Sequence, residues 1–165
     1  MTMAVPPMIS QHTAEEEVLI NSVRDALSKY DPVRIWGDDV LLGAQGSTIT
    51  LSGYVRSRSS KEMAGRLASQ VSGVSAVDNK LVVDSDVEMA VAQALGADPR
   101  TQSSFPGILV GVVFGVNYLK GVVKTPEIKT AAGEIAAKVP GVRTVSNELA
   151  TVPAVKADGA KGAKA

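Results

Sequence analysis

Side-chain chemistry needs a nucleophile, an acid–base pair or a set of metal ligands at close spacing, and the residues that could supply these are few and scattered. His12 is the one histidine and cysteine is absent, which excludes thiolate chemistry, disulfides and Cys/His metal sites. The runs that mark a nucleophile elbow, a zinc-protease helix, a phosphate loop or a dinucleotide loop do not occur. Asp38 and Asp39 are adjacent oxygen donors, but a calcium loop needs more ligands at ordered spacing, so a solvated turn is the simpler reading. Glu62, Glu127 and Glu134 fall at helix-surface positions. Asn79 and Asn147 could present amides to a ligand or fix a strand edge by hydrogen bonding. The sequence therefore predicts no catalytic residue, no metal and no cofactor, and a protein that is not an enzyme.

Binding leaves a clearer trace. Arg56, Arg58, Lys61 and Arg66 are the densest basic run, and a helix beginning near Ser59 or Ser60 would add backbone donors and a favourable dipole. Together they form a candidate site for an anion such as a phosphate headgroup; the alternative is an ordinary solvated face. A second trace is apolar. Phe105, Ile108, Val110, Val112, Val113, Phe114, Val116, Tyr118 and Val122 exceed what one face of a small sheet can bury, so this segment is expected to be covered on both sides. Another part of the chain, a second copy or a lipid surface could cover it. Phe105, Phe114, Tyr118 and, more weakly, Trp36 are the candidate association residues.

Composition narrows the partners. The 165 residues hold 17 basic and 17 acidic side chains, 45% hydrophobic residues and 4% aromatic ones. That is too apolar for a disordered chain, too balanced to live on a phosphate backbone, and too poor in aromatics to stack single-stranded bases. No specific nucleic acid is expected. Residues 15–84 carry eight basic and ten acidic groups, and residues 85–152 carry six of each. The Ala-, Gly- and Lys-rich stretch 153–165 reads as a disordered tail, and 1–14 as a flexible leader. The leader lacks a basic n-region followed by an apolar run, which predicts a cytoplasmic protein; a start that is not native would permit a periplasmic or envelope location. Residues 105–123 are broken by Pro106, four glycines, Asn117 and Lys120, too short an apolar run for the roughly 20 residues of a membrane helix.

The elements that must position these residues come from an internal repeat. A shift of 68 positions lays Val23, Ala26 and Leu27 on Val91, Ala94 and Leu95, and Leu51, Gly53 and Val55 on Leu119, Gly121 and Val123. It continues without a gap through Lys61, Ala64, Gly65, Ala68 and Val71 on Lys129, Ala132, Gly133, Ala136 and Val139. Gly73, Val74, Val77, Asn79 and Leu81 then fall on Gly141, Val142, Val145, Asn147 and Leu149. The matches are mainly small and apolar, the residues that encode shape.

Each copy reads as αββαβ. Leu19, Val23, Ala26, Leu27 and Tyr30 make a helical stripe behind the acidic first turn Glu15–Glu17. Alternating apolar residues then form a hairpin turning near Gln45 and Gly46, followed by a helix over 60–72 and a third strand over 77–83. Gly73 stands where a helix end would turn left-handed. The second copy repeats this with a helix over 86–95, a hairpin over 108–123 turning at Phe114 and Gly115, a helix over 125–139 and a strand over 142–151. Gly53 and Gly121 inside strands suggest bulges or close backbone approach, and Gly65 and Gly133 suggest helices lying close to the sheet.

The runs Gly46-Ser47-Thr48-Ile49-Thr50-Leu51-Ser52-Gly53-Tyr54-Val55 and Gly73-Val74-Ser75-Ala76-Val77-Asp78-Asn79-Lys80-Leu81 resemble the BON domain family. So do their counterparts Gly115-Val116-Asn117-Tyr118-Leu119-Lys120-Gly121-Val122-Val123 and Gly141-Val142-Arg143-Thr144-Val145-Ser146-Asn147-Glu148-Leu149. The resemblance implies an α+β fold of two tandem αββαβ units at 15–84 and 85–152, each a three-stranded mixed sheet packed on two helices. It also implies a binding protein of the bacterial envelope or of osmotic-stress response, which binds surfaces such as anionic phospholipid headgroups or associates with itself. A sensor of a small ligand or a potassium-like cation, and a homo-oligomeric assembly subunit, are the alternatives.

Overall fold

In the computed structural model, which describes residues 11–31, 39–105 and 107–152, Thr13 opens the first helix. Its hydroxyl accepts from the Glu16 backbone N–H while the Glu16 carboxylate accepts from the Thr13 N–H, a reciprocal capping box. Helix α1 (Ala14–Ser28) buries Ile20, Val23 and Leu27, with Leu19 and Tyr30 packed at the margin of the same core. Ile20 extends the stripe expected from the sequence.

The chain divides into two compact units, Met1–Ser85 and Asp86–Ala165. In the first, β1 (Val40–Gln45) and β2 (Thr48–Val55) form an antiparallel hairpin, and α2 (Arg58–Ser69) carries the chain back to β3 (Ala76–Asn79) and β4 (Val82–Val83). Both of these short strands lie parallel to β2 in one continuous register, so together they fill the third position of the sheet. Ile49, Leu51, Val55, Ala64, Ala68, Leu81 and Val83 complete the core.

Helix α3 (Asp84–Ala97) starts in the last two residues of the first unit and runs into the second, which also contains a short 3₁₀ turn (Gln102–Ser104), β5 (Ile108–Val113), β6 (Val116–Val123), α4 (Pro126–Ala137) and β7 (Thr144–Thr151). Its sheet runs β5-β6-β7, antiparallel then parallel. The fold is α+β, with mixed sheets and two helices per unit, as the repeat implied.

Local chemistry moves several boundaries. The Ser57 hydroxyl accepts from the Ser60 N–H and starts α2 at Arg58, earlier than the apolar spacing suggested. Thr125 caps α4 in the same way, with Pro126 preset for the first helical turn. Gly73 does have a left-handed φ of 93°, but it lies in the turn beyond Gln70, which caps α2. The first hairpin turns at Gly46 and Ser47, one residue later than expected, because Gln45 pairs with Thr48.

The strand glycines are structural. A Cβ on Gly53 would overlap the Asp39 carbonyl oxygen, and one on Gly121 would overlap that of Gly107; both residues have positive φ. Only glycine permits this approach of neighbouring backbones.

Candidate functional site

The basic cluster is spread out by the fold. Arg56 Nη1 lies 3.1 Å from Oδ2 of Asp84, whose carboxylate is buried at the start of α3, so this guanidinium is engaged by an acid of its own unit. Arg58 is the first residue of α2 and Arg66 lies in its last turn, roughly 12 Å further along the axis at about 1.5 Å per residue. The N-terminal amide of Ser60 is already capped by Ser57, whose hydroxyl also meets those of Ser59 and Ser60 at 3.0 Å. Arg58 and Arg66 are thus set more than two turns apart on α2.

The apolar segment resolves into two faces. Alternation along β5 and β6 sends Ile108, Val112, Leu119 and Val123 into the core. Val110 pairs with Leu119 on that inner face. The outer face carries Leu109, Gly111 and Val113 on β5, Val116, Tyr118, Lys120 and Val122 on β6, and Ser146, Glu148 and Ala150 on β7, ordered by the registers 109↔120↔148, 111↔118↔146 and 122↔150. Leu109 is 65% exposed, Val122 56% and Val113 41%. Both faces carry apolar residues, but the outer one, expected to be covered, is open to solvent within this chain.

On the edge strand β5, Gly111 leaves a hollow in that face. A Cβ built there would meet nothing within 4 Å. Leu109, Val113, Tyr118 and Lys120 surround a shallow cavity of about 400 Å³ that also touches Val110 and Gly111. Lys120 Nζ lies 3.6 Å from Oε2 of Glu148, whose Oε1 accepts from the Ser146 hydroxyl, so the charged part of these face positions is one cation beside one anion. The matching positions of the first unit, Gln45, Thr48 and Thr50 against Val113, Val116 and Tyr118, are polar; Leu41 and Leu109 agree.

Of the association candidates, Tyr118 lines the hollow. Phe105 is elsewhere: its ring packs over Gly96, with Cδ1 3.6 Å from where a Cβ would stand. Phe114 occupies the β5–β6 turn with φ 47°, followed by Gly115 at 78°. Two residues of positive φ are the signature of a tight turn that matches strand twist, though glycine or asparagine would adopt the first more readily. Trp36 and Asp38 lie outside the described residues, as do the tail and most of the leader.

Other polar groups have structural partners. Glu16 reaches the turn of the first hairpin, accepting from the Gly46 N–H at 2.7 Å, and this bond with that to Thr13 holds its carboxyl below the usual glutamate range. Hydrogen bonding to Arg100 likewise lowers Asp98, while the same guanidinium binds Glu134 at 3.2 Å. Glu88 accepts from the Val112 N–H. Ser104 Oγ is buried without a hydrogen-bond partner, and Asn117 is the larger exception. It is fully buried and both amide atoms lack a hydrogen-bond partner, at the position where the first unit buries Ile49. Leu109 and Asn117 were not legible as special, since both look ordinary in a strand of mixed pattern.

The BON domain model matches residues 17–85 and again 84–153. The chain is similar to Osmotically-inducible protein Y of Escherichia coli (strain K12), 28% identical over 149 residues that cover 83% of this chain and 73% of that one. Its fold is similar to the C-terminal domain of CdsD, the structural protein of the type III secretion system of Chlamydia trachomatis. That likeness has a TM-score of 0.66 at 21% identity, covering 84% of this chain and 67% of the other. No helix among the described residues is long and apolar enough to cross a membrane.

Proposed function

We infer the function from one premise: the chain belongs to the BON domain family. It acts by binding through a surface, without catalysis, in osmotic-stress response or envelope maintenance. The name of its E. coli relative supports the stress-response setting. The carboxylates support the non-catalytic reading, because Asp84, Asp98, Glu16, Glu88, Glu134 and Glu148 are each engaged by a guanidinium, an ammonium or a backbone N–H.

The observation that carries the reading is the outer face of the second sheet. Apolar side chains at Leu109 and Val113 stand in water beside a hollow, and Val122 is exposed further along the same face, an arrangement that favours association. The basic residues of α2 are the weaker surface, since Arg58 and Arg66 stand more than two turns apart and Arg56 is paired with Asp84.

The test uses the repeat itself. Val113→Gln, Val116→Thr and Tyr118→Thr together install the residues that the first unit carries at the same sheet positions, so the variant keeps a pattern that already folds. Cells lacking the gene are complemented with wild-type or triple variant and scored for survival after osmotic upshift. The reading expects the variant, present at wild-type level, to fail. Full rescue would refute it.

A further inference from the structure

We propose that the occupant of the outer face of the second sheet is the same face of a second copy of this chain, each copy seating an apolar side chain in the Gly111 hollow of the other. This rests on the reading of that face as the docking surface and names its partner.

Three observations favour a second copy. First, the face carries both halves of a knob-and-hole contact: Leu109 and Val122 project, while Gly111 leaves open space between Leu109 and Val113. A twofold interface requires that one patch supply both parts. Second, its charge is self-complementary. Lys120 and Glu148 stand 3.6 Å apart, so a twofold can lay each lysine over the second copy's glutamate. The same pair leaves the face with no net charge to draw an anionic lipid surface. Third, the first unit offers polar Gln45, Thr48 and Thr50 at the positions of Val113, Val116 and Tyr118, so its equivalent sheet face is a poorer apolar match than the face itself.

Size sets the strength. Three strands at about 4.8 Å spacing and about 26 Å length give a face of roughly 370 Å² per copy. The total of roughly 700 Å² is below the ~1,200 Å² of a standard stable interface. The dimer is therefore weak and concentration-dependent, and an exposed apolar face of this kind is compatible with a chain that also exists as a monomer.

Sedimentation velocity of the full chain from about 10 μM to about 1 mM, where weak dimers of this size dissociate and form, reads the proposal directly. The wild type is expected to move from monomer to dimer. Gly111→Val, which fills open space and removes a strand glycine, is expected to keep or raise the melting temperature and to weaken dimerisation at least tenfold. Lys120→Glu should weaken it several-fold, and adding Glu148→Lys should restore it; Tyr118→Thr provides a second interface variant.

A wild type that stays monomeric throughout the range overturns the second-copy proposal. If the triple variant still fails in the survival assay, the docking reading stands without it. A dimer that is unchanged in Gly111→Val and Tyr118→Thr places self-association elsewhere and also overturns the proposal. Monomeric wild type that pellets with phosphatidylglycerol vesicles, and loses this in Gly111→Val, would assign the face to lipid instead.

Discussion

Asn79 Nδ2 stands 2.8 Å from the position a Cβ would take on Gly65, and Asn147 repeats the relation at 2.9 Å from Gly133. Each amide donates to a helix carbonyl, Lys61 O at 2.8 Å and Lys129 O at 2.7 Å, and its oxygen accepts from the N–H two residues on, of Leu81 or Leu149. The third strand is thereby tied to the second helix of each unit through a space that only glycine leaves open. The recurring asparagines fix a strand, as one of the two readings of the sequence had it.

That lock gives a coupled pair. Asn79→Ala should destabilise the first unit by about 1–2 kcal/mol. Gly65→Ala should fail to deliver the roughly 1 kcal/mol of helix propensity that alanine offers, yet deliver it once Asn79 is alanine. Urea unfolding of the four proteins measures the coupling, and strictly additive effects would contradict it.

Gly121→Ala should be far more damaging, because its Cβ would collide with the Gly107 carbonyl at a φ of 126°. A loss of about 3 kcal/mol or more is expected from strain and displaced backbone. Amide spectra should show the second unit unfolding at lower temperature while signals of the first persist.

Asn117→Ile places in the second core the residue that fills this position in the first. Removing a buried amide with neither atom satisfied should raise stability by about 2 kcal/mol, read by thermal unfolding. A fall in stability would mean that the amide has a partner in solution.

The Glu16–Gly46 bond should be pH-dependent with a definite sign. Because hydrogen bonding lowers the folded carboxyl, its contribution is complete above the ordinary glutamate range and is lost as pH falls through the lowered folded value. The Gly46 amide signal should titrate with a midpoint below that range, and this titration should vanish in Glu16→Gln. A midpoint at or above the ordinary value would contradict the bond.

Much of the fold was legible because shape-giving residues recur at one spacing: Gly53 with Gly121, Gly65 with Gly133, Leu51 with Leu119. The faces of β5 were not, since Ile108-Leu109-Val110-Gly111-Val112-Val113 is apolar at every alternate step and periodicity cannot say which set faces water. Register resolves it, placing Leu109 outside and Ile108 inside. The dispersal of the basic cluster was equally hidden, because Asp84, which binds Arg56, is 28 residues away and reaches it only through the sheet. Asn117 stands in a run whose neighbours alternate, and nothing in its type announces burial without a partner.

The most direct test of the central claim, that this protein works through the outer face of its second sheet, is survival after osmotic upshift of cells whose copy carries Gly111→Val. The added Cβ meets nothing within 4 Å, and valine suits a strand better than glycine. Survival should fall to that of cells lacking the gene, with the protein folded and present at its usual level. Survival equal to wild type would contradict the account.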